Sequence, residues 1–137
     1  MKKILIVVAL ILMSMTTAYA GGNYALKHAN PMPNLMRIAM GNAELLNITG
    51  EQMKGLHAWA NENKPKMMMM VKQVMTQEKA IREEALTTDK DIMKKANEML
   101  ETRRKIMEMK TACRATLRGV LNEKQYAQVI SIYRSAR

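Results

Sequence analysis

Four consecutive methionines, Met67 to Met70, stand among lysines in the stretch NKPKMMMMVKQVMTQEKAIREEA. Thioethers are flexible and polarizable, so they serve two kinds of chemistry: adaptable apolar contact with many partners and soft-metal ligation. At about 100° per residue, Met67, Met70, Val71, Val74, Ile81 and Ala85 fall on one helical stripe, which for Met67 and Met70 reads as core. Met68 and Met75 lie at its edge and Met69 points the other way, so some thioether is expected in solvent. With Lys64, Lys66, Lys72 and Lys79 around them, these side chains would form a deformable apolar face with a cationic rim. The competing reading is a solvated charged face over a methionine-rich core.

A second series runs through the C-terminal half: Ala96, Met99, Arg103, Ile106, Lys110, Cys113, Leu117 and Val120, at near-heptad spacing. Arg103 and Lys110 interrupt what would be a dry seam. Burying either unpaired is costly, so this face is expected to be open to water or to meet Glu98 or Glu101. Snorkelling from a core edge would account for each residue singly. Met68, Met69, Lys72, Met75, Arg103 and Lys110 are therefore the candidates for binding an apolar partner.

Metal is the alternative chemistry. His28 lies near Met32, His57 follows Met53 by one helical turn, and Met107, Met109 and Cys113 form a soft set suited to Cu(I). His57 also shares a face with Met53, Leu56 and Ala60, where a core histidine is the commoner outcome. No His-x3-His or Cys-x2-Cys spacing is present. Catalytic motifs are absent, and the adjacent Glu83 and Glu84 point apart on a helix. The chain reads as a non-enzyme, without a cofactor unless that metal site exists.

What positions these residues starts with Met1-Lys2-Lys3, the apolar run ILIVVALILM and Ala18-Tyr19-Ala20, the pattern of an export signal cut after Ala20. An uncleaved anchor is the rival, but the run is short of the roughly 20 residues that a spanning helix needs. Losing Lys2 and Lys3 with the leader takes the formal charge from +10 to +8. An exported basic surface is expected to meet acidic polypeptides or anionic lipid, not nucleic acid. One cysteine permits no internal disulfide, leaving a buried thiol or one that pairs between chains or reacts. With no phenylalanine and one tryptophan the core is thin, and thin cores often gain stability by oligomerising. A homodimer follows.

No strand pattern occurs. Residues 21–33, with two prolines and two glycines, read as a flexible arm, and 34–137 as one all-helical domain. The spacing predicts a first helix through Leu35, Ile38, Ala39, Asn42, Leu45 and Leu46, broken at Asn47. A second runs from Thr49 towards Leu86, with a kink or fresh start near Asn63 imposed by Pro65. The third spans about Asp89 to Arg118, with Thr88 at its N-cap, Asp91 at its third position and Gly119 ending it. The fourth covers Asn122 to about Ser135.

Two helix starts share one device. In ITGEQM, Thr49 can cap the amide of Gln52 while Gln52 reaches back to Thr49, and Ile48 and Met53 staple across the start. In LNEKQY, Leu121, Asn122, Gln125 and Tyr126 repeat it. The pair resembles the twin Leu-Thr-x-x-Gln motifs of the periplasmic Spy/CpxP family, with Ile48 replacing the first Leu and Asn122 the second Thr. The likeness extends to the leader, the proline in ENKPKM, the IREEAL turn approach and the long basic third helix. It implies an all-α, four-helix bent hairpin that pairs into a cradle-shaped antiparallel homodimer. It also implies a periplasmic, ATP-independent chaperone for unfolded or misfolded proteins, or an envelope-stress modulator acting on a sensor-kinase domain. A related metal-responsive branch binds zinc, nickel or cobalt, so a Cu, Zn or Ni protein is the alternative.

Overall fold

The computed structural model describes residues 28–136; the expected export signal, the expected cut after Ala20 and the first part of the expected arm lie outside these. Four helices and no strand make up the described chain: α1 (Leu35–Gly41), α2 (Gly50–Thr87), α3 (Ile92–Val120) and α4 (Glu123–Ser135). The two long helices run antiparallel, because Gln52 bonds Val120, Glu78 bonds Arg103 and Glu84 bonds Lys95 in succession along the pair.

Each helix start has a local cause. Asn34 accepts from the Arg37 amide at 3.3 Å to open α1. The Thr49 and Asn122 capping boxes open α2 and α4, both with side chain and backbone reciprocally bonded. Each such cap contributes on the order of 1 kcal/mol.

Four helix boundaries differ from the sequence expectation. α1 stops at Gly41, and residues 42–47 turn instead, closed by Ile48 N–H donating to Ala43 O at 2.9 Å around a left-handed Asn47 (φ 49°). The apolar period therefore does not carry to Leu45, which is 65% exposed. α2 passes through Pro65 without a fresh start; the proline sits on an exposed turn, where water can take the carbonyl it leaves unbonded, and Asn63 Nδ2 donates to Trp59 O at 3.0 Å nearby. Thr88 caps the end of α2, its hydroxyl held by Glu84, and Asp91 takes the N-cap position of α3 without a side-chain bond. Gly119 lies inside α3, which ends at Leu121 as Asn122 starts the next cap.

Burial is concentrated at one end. The first core joins Leu35, Met36 and Ala39 of α1 to Leu46, Leu56, Cys113, Leu117, Leu121 and Val129. Leu56, Leu117 and Val129 are fully enclosed, each worth roughly 1.5–3 kcal/mol of transfer free energy. The second core lies further along the long helices and holds Ala29, Met67, Val71, Val74 and Ile106. From Met75 to Glu101, around the connecting turn, no residue is buried.

Candidate functional site

The two glutamines of the capping boxes meet. Gln52 Nε2 donates to Gln125 Oε1 at 2.9 Å, and Gln125 Nε2 donates back to Gln52 Oε1 at 3.0 Å. Their remaining amide hydrogens reach backbone carbonyls: Gln52 to Val120 O, Gln125 to Leu46 O and Asn47 O. The oxygens also accept from their own caps, Thr49 N–H and Asn122 N–H. Every polar position of both carboxamides is thus used, as a side chain 5% exposed like Gln125 requires. A half-open cavity of about 240 Å³ adjoins this lock, lined by Leu46, Asn47, Asn122, Lys124, Gln125 and Gln128. Ile48 and Tyr126 pack on the first core and Leu121 is buried in it, so the second staple and the Ile48 side of the first belong to that core.

The candidate partner-binding residues separate into two groups. Met69 and Met75 are exposed, at 66% and 50%, and Lys72 is exposed beside them, whereas Met68 is half-buried. Met67, Val71 and Val74 are buried and Met70 packs against them, as the stripe predicts; Ile81 is half-buried and Ala85, near the open end, is exposed. Arg103 is not free. It pairs with Glu78 of α2, not with Glu98 or Glu101, because heptad spacing turns Arg103 towards the facing helix. Lys110 is 7% exposed and so is not a surface contact. Burial pushes its ammonium below the usual lysine range and the neighbouring Cys113 thiol above the usual thiol range.

The candidate metal ligands are dispersed. His28 Nε2 contacts Glu78 Oε1 at 2.7 Å and Arg103 at 3.1 Å. Met32 and Met53 are half-buried. His57 is exposed, not a core histidine: it follows buried Leu56 by one residue and is turned about 100° from it. Met107 is exposed, Met109 packs on the second core and Cys113 belongs to the first. Among the described residues no three of His, Cys, Asp and Glu gather as a metal cage would require.

No protein-family model, curated protein or solved structure matches this chain.

Two contacts were not legible from local sequence. Glu78 holds both the arm, through His28, and α3, through Arg103. Glu84 gathers Thr88, Lys95 and the Asp91 amide at the far turn. The bond to Lys95, then that to Thr88, holds its carboxyl down to about 2. The heptad run through Arg103 was the one available signal for the first contact; nothing in the turn sequence singles out Glu84 over Glu83.

The described part of the arm is docked. Ala29 and Asn30 are 3% and 4% exposed, and the Asn30 side chain accepts from Met32 N–H at 3.1 Å. The prolines and glycines that suggested looseness stand before or after this seat, and Ala29 is small enough to fit beside Val71 and Ile106.

Proposed function

We propose that this chain is an exported, ATP-independent chaperone that holds unfolded or misfolded polypeptides, working as an antiparallel homodimer whose paired long helices form a shallow cradle. One observation carries the reading: Met69, Met75, Leu86, Met93, Leu100 and Met107 stay exposed on the two long helices, most of them along the stretch that has no buried residue. Apolar side chains spread over an uncovered helical layer, with Lys72 and Lys79 between them, suit contact with many unfolded sequences and need no shaped pocket. A two-helix layer without a core of its own also gains from a second copy. The paired capping boxes support the same reading through the family resemblance, as does the basic composition.

The test is suppression of aggregation of a chemically unfolded client, without nucleotide and with or without a chelator. The expected result is suppression at equimolar dimer that weakens as salt rises and is indifferent to chelation. Absence of suppression at equimolar dimer ends the chaperone reading. Suppression that vanishes with chelator moves the assignment to a metal-dependent protein.

A further inference from the structure

The Glu78–Arg103 bond fixes which sides of α2 and α3 face the same way. Met75 and Arg82 lie one turn before and one turn after Glu78 on α2; Leu100 and Met107 lie one turn before and after Arg103 on α3. All four side chains therefore flank one side of the helix pair. Met68 and Leu86 continue the α2 line and Met93 the α3 line, by seven- and eleven-residue steps that return to nearly the same angle.

Charge is segregated on this side. Within about 60° of Met75 on α2 and of Leu100 on α3, Glu78 is the sole carboxylate, and Arg103 neutralises it. The same sector carries Lys64, Lys72, Lys79 and Arg82 on α2, which are all exposed and extend over about 27 Å at 1.5 Å per residue. Arg103, Arg104, Arg114 and Arg118 lie in the matching sector of α3, with Arg104 paired to Glu101 and Glu108 at the sector's edge. The remaining acids of the long helices lie outside the 60° sector, Glu101 and Glu108 at its edge on Arg104 and Glu84 on Lys95.

His28, Ala29 and Asn30 lie between the helices beside Glu78 and Arg103, so among the described residues the space between the two apolar lines is occupied there. Two cavities, one lined by Leu46, Asn47 and Gln125 and one by Met40 and Leu45, lie at the other end of the molecule. Among the described residues no helix is long and apolar enough to cross a membrane.

We propose that this face docks on an anionic phospholipid surface, with Met75, Leu86, Met93, Leu100 and Met107 dipping among the headgroups and Lys64, Lys72, Lys79 and Arg82 meeting lipid phosphates. A long cationic face with a scattered apolar complement matches a charged interface. Met75, Leu86, Met93, Leu100 and Met107 are also the residues that the chaperone reading gives to clients, so lipid and client would compete for one face, but the lipid contact does not depend on that activity.

The test uses the chain from Gly21, which keeps every described contact, in co-sedimentation with phosphatidylglycerol-containing and phosphatidylcholine-only vesicles. Binding is expected to the anionic vesicles alone and to fall as salt rises. Lys79→Glu with Arg82→Glu should weaken it at least tenfold, since each cation near such a surface is worth roughly fivefold. Lys94→Glu with Lys105→Glu, an equal charge change on the opposite side, should weaken it less than about threefold. Met75→Ser with Leu100→Ser, both exposed and harmless to the cores, should also weaken it. Equal loss in the two charge variants overturns the proposal, since net charge alone would then explain binding. So does failure to bind anionic vesicles while an acidic unfolded polypeptide binds, an outcome that leaves the chaperone reading standing.

Discussion

The carboxamides of Gln52 and Gln125, 73 residues apart in sequence, donate to one another and so bind the start of α2 to the start of α4. The same two atoms that complete each local cap also make the long-range bond. Local helix initiation and tertiary assembly thus share the same side chains here.

Gln125→Ala should cost about 2–3 kcal/mol, because it strands the carbonyls of Leu46 and Asn47 and the Asn122 amide of the cap. Gln52→Ala should cost less, being nearer solvent. Urea denaturation of both single variants and the double variant should give a coupling of roughly 1–3 kcal/mol. Additive losses would show that the two amides act independently.

Acid should loosen the far turn through Glu84. Its carboxyl is held down to about 2 from an ordinary value of 4.5, so its contribution is complete above the ordinary value and fades as pH falls through the folded one. Wild type should melt above Glu84→Gln at pH 6, and the two melting temperatures should converge as pH approaches 2. A gap that stays constant over that range would rule out the linkage.

Lys110 makes the opposite demand. Burial lowers its pKa, so the charged form is disfavoured in the folded state, and the penalty is relieved as pH climbs through the folded value towards 10.5. Lys110→Met should therefore stabilise the chain at pH 7 by about 1 kcal/mol. Thermal melting against pH should show that advantage shrinking in alkali. Destabilisation by the methionine would mean that the ammonium makes a contact the chain relies on.

Glu78→Gln should release the arm. It removes the carboxylate that holds His28 and leaves the Arg103 guanidinium, whose Nε is buried without a partner, less well compensated. A loss of about 1–3 kcal/mol is expected for a partly buried charged bond. Limited proteolysis should cut before Asn34 faster in the variant, with the helices intact by circular dichroism. Unchanged cleavage would place the arm's anchorage elsewhere, in Ala29 and Asn30.

Much of the helical order was readable because the signals are local: the Thr49 and Asn122 boxes, the Met67–Val74 stripe and the near-heptad run to Leu117 all depend on spacing within one helix. What escaped depends on distance in sequence. Glu78 finds Arg103 across 25 residues, and nothing in either neighbourhood names the partner. The charge of Lys110 suggests a surface position, yet it falls between Ile106 and Cys113 on the inward line and is buried with them. Boundaries moved where side chains competed for one role, as when Glu84 took the Thr88 hydroxyl that would have started α3.

The uneven burial along α2 and α3 has a consequence for how the molecule comes apart. Fastened by enclosed leucines and the glutamine pair at one end, and by little beyond Glu84 and Lys95 at the other, the helix pair resembles a zipper with a single stop. Amide protons near Leu86 and Met93 should exchange through brief partial openings that never reach Leu56 or Leu117, so warming peels the turn back long before the base gives way.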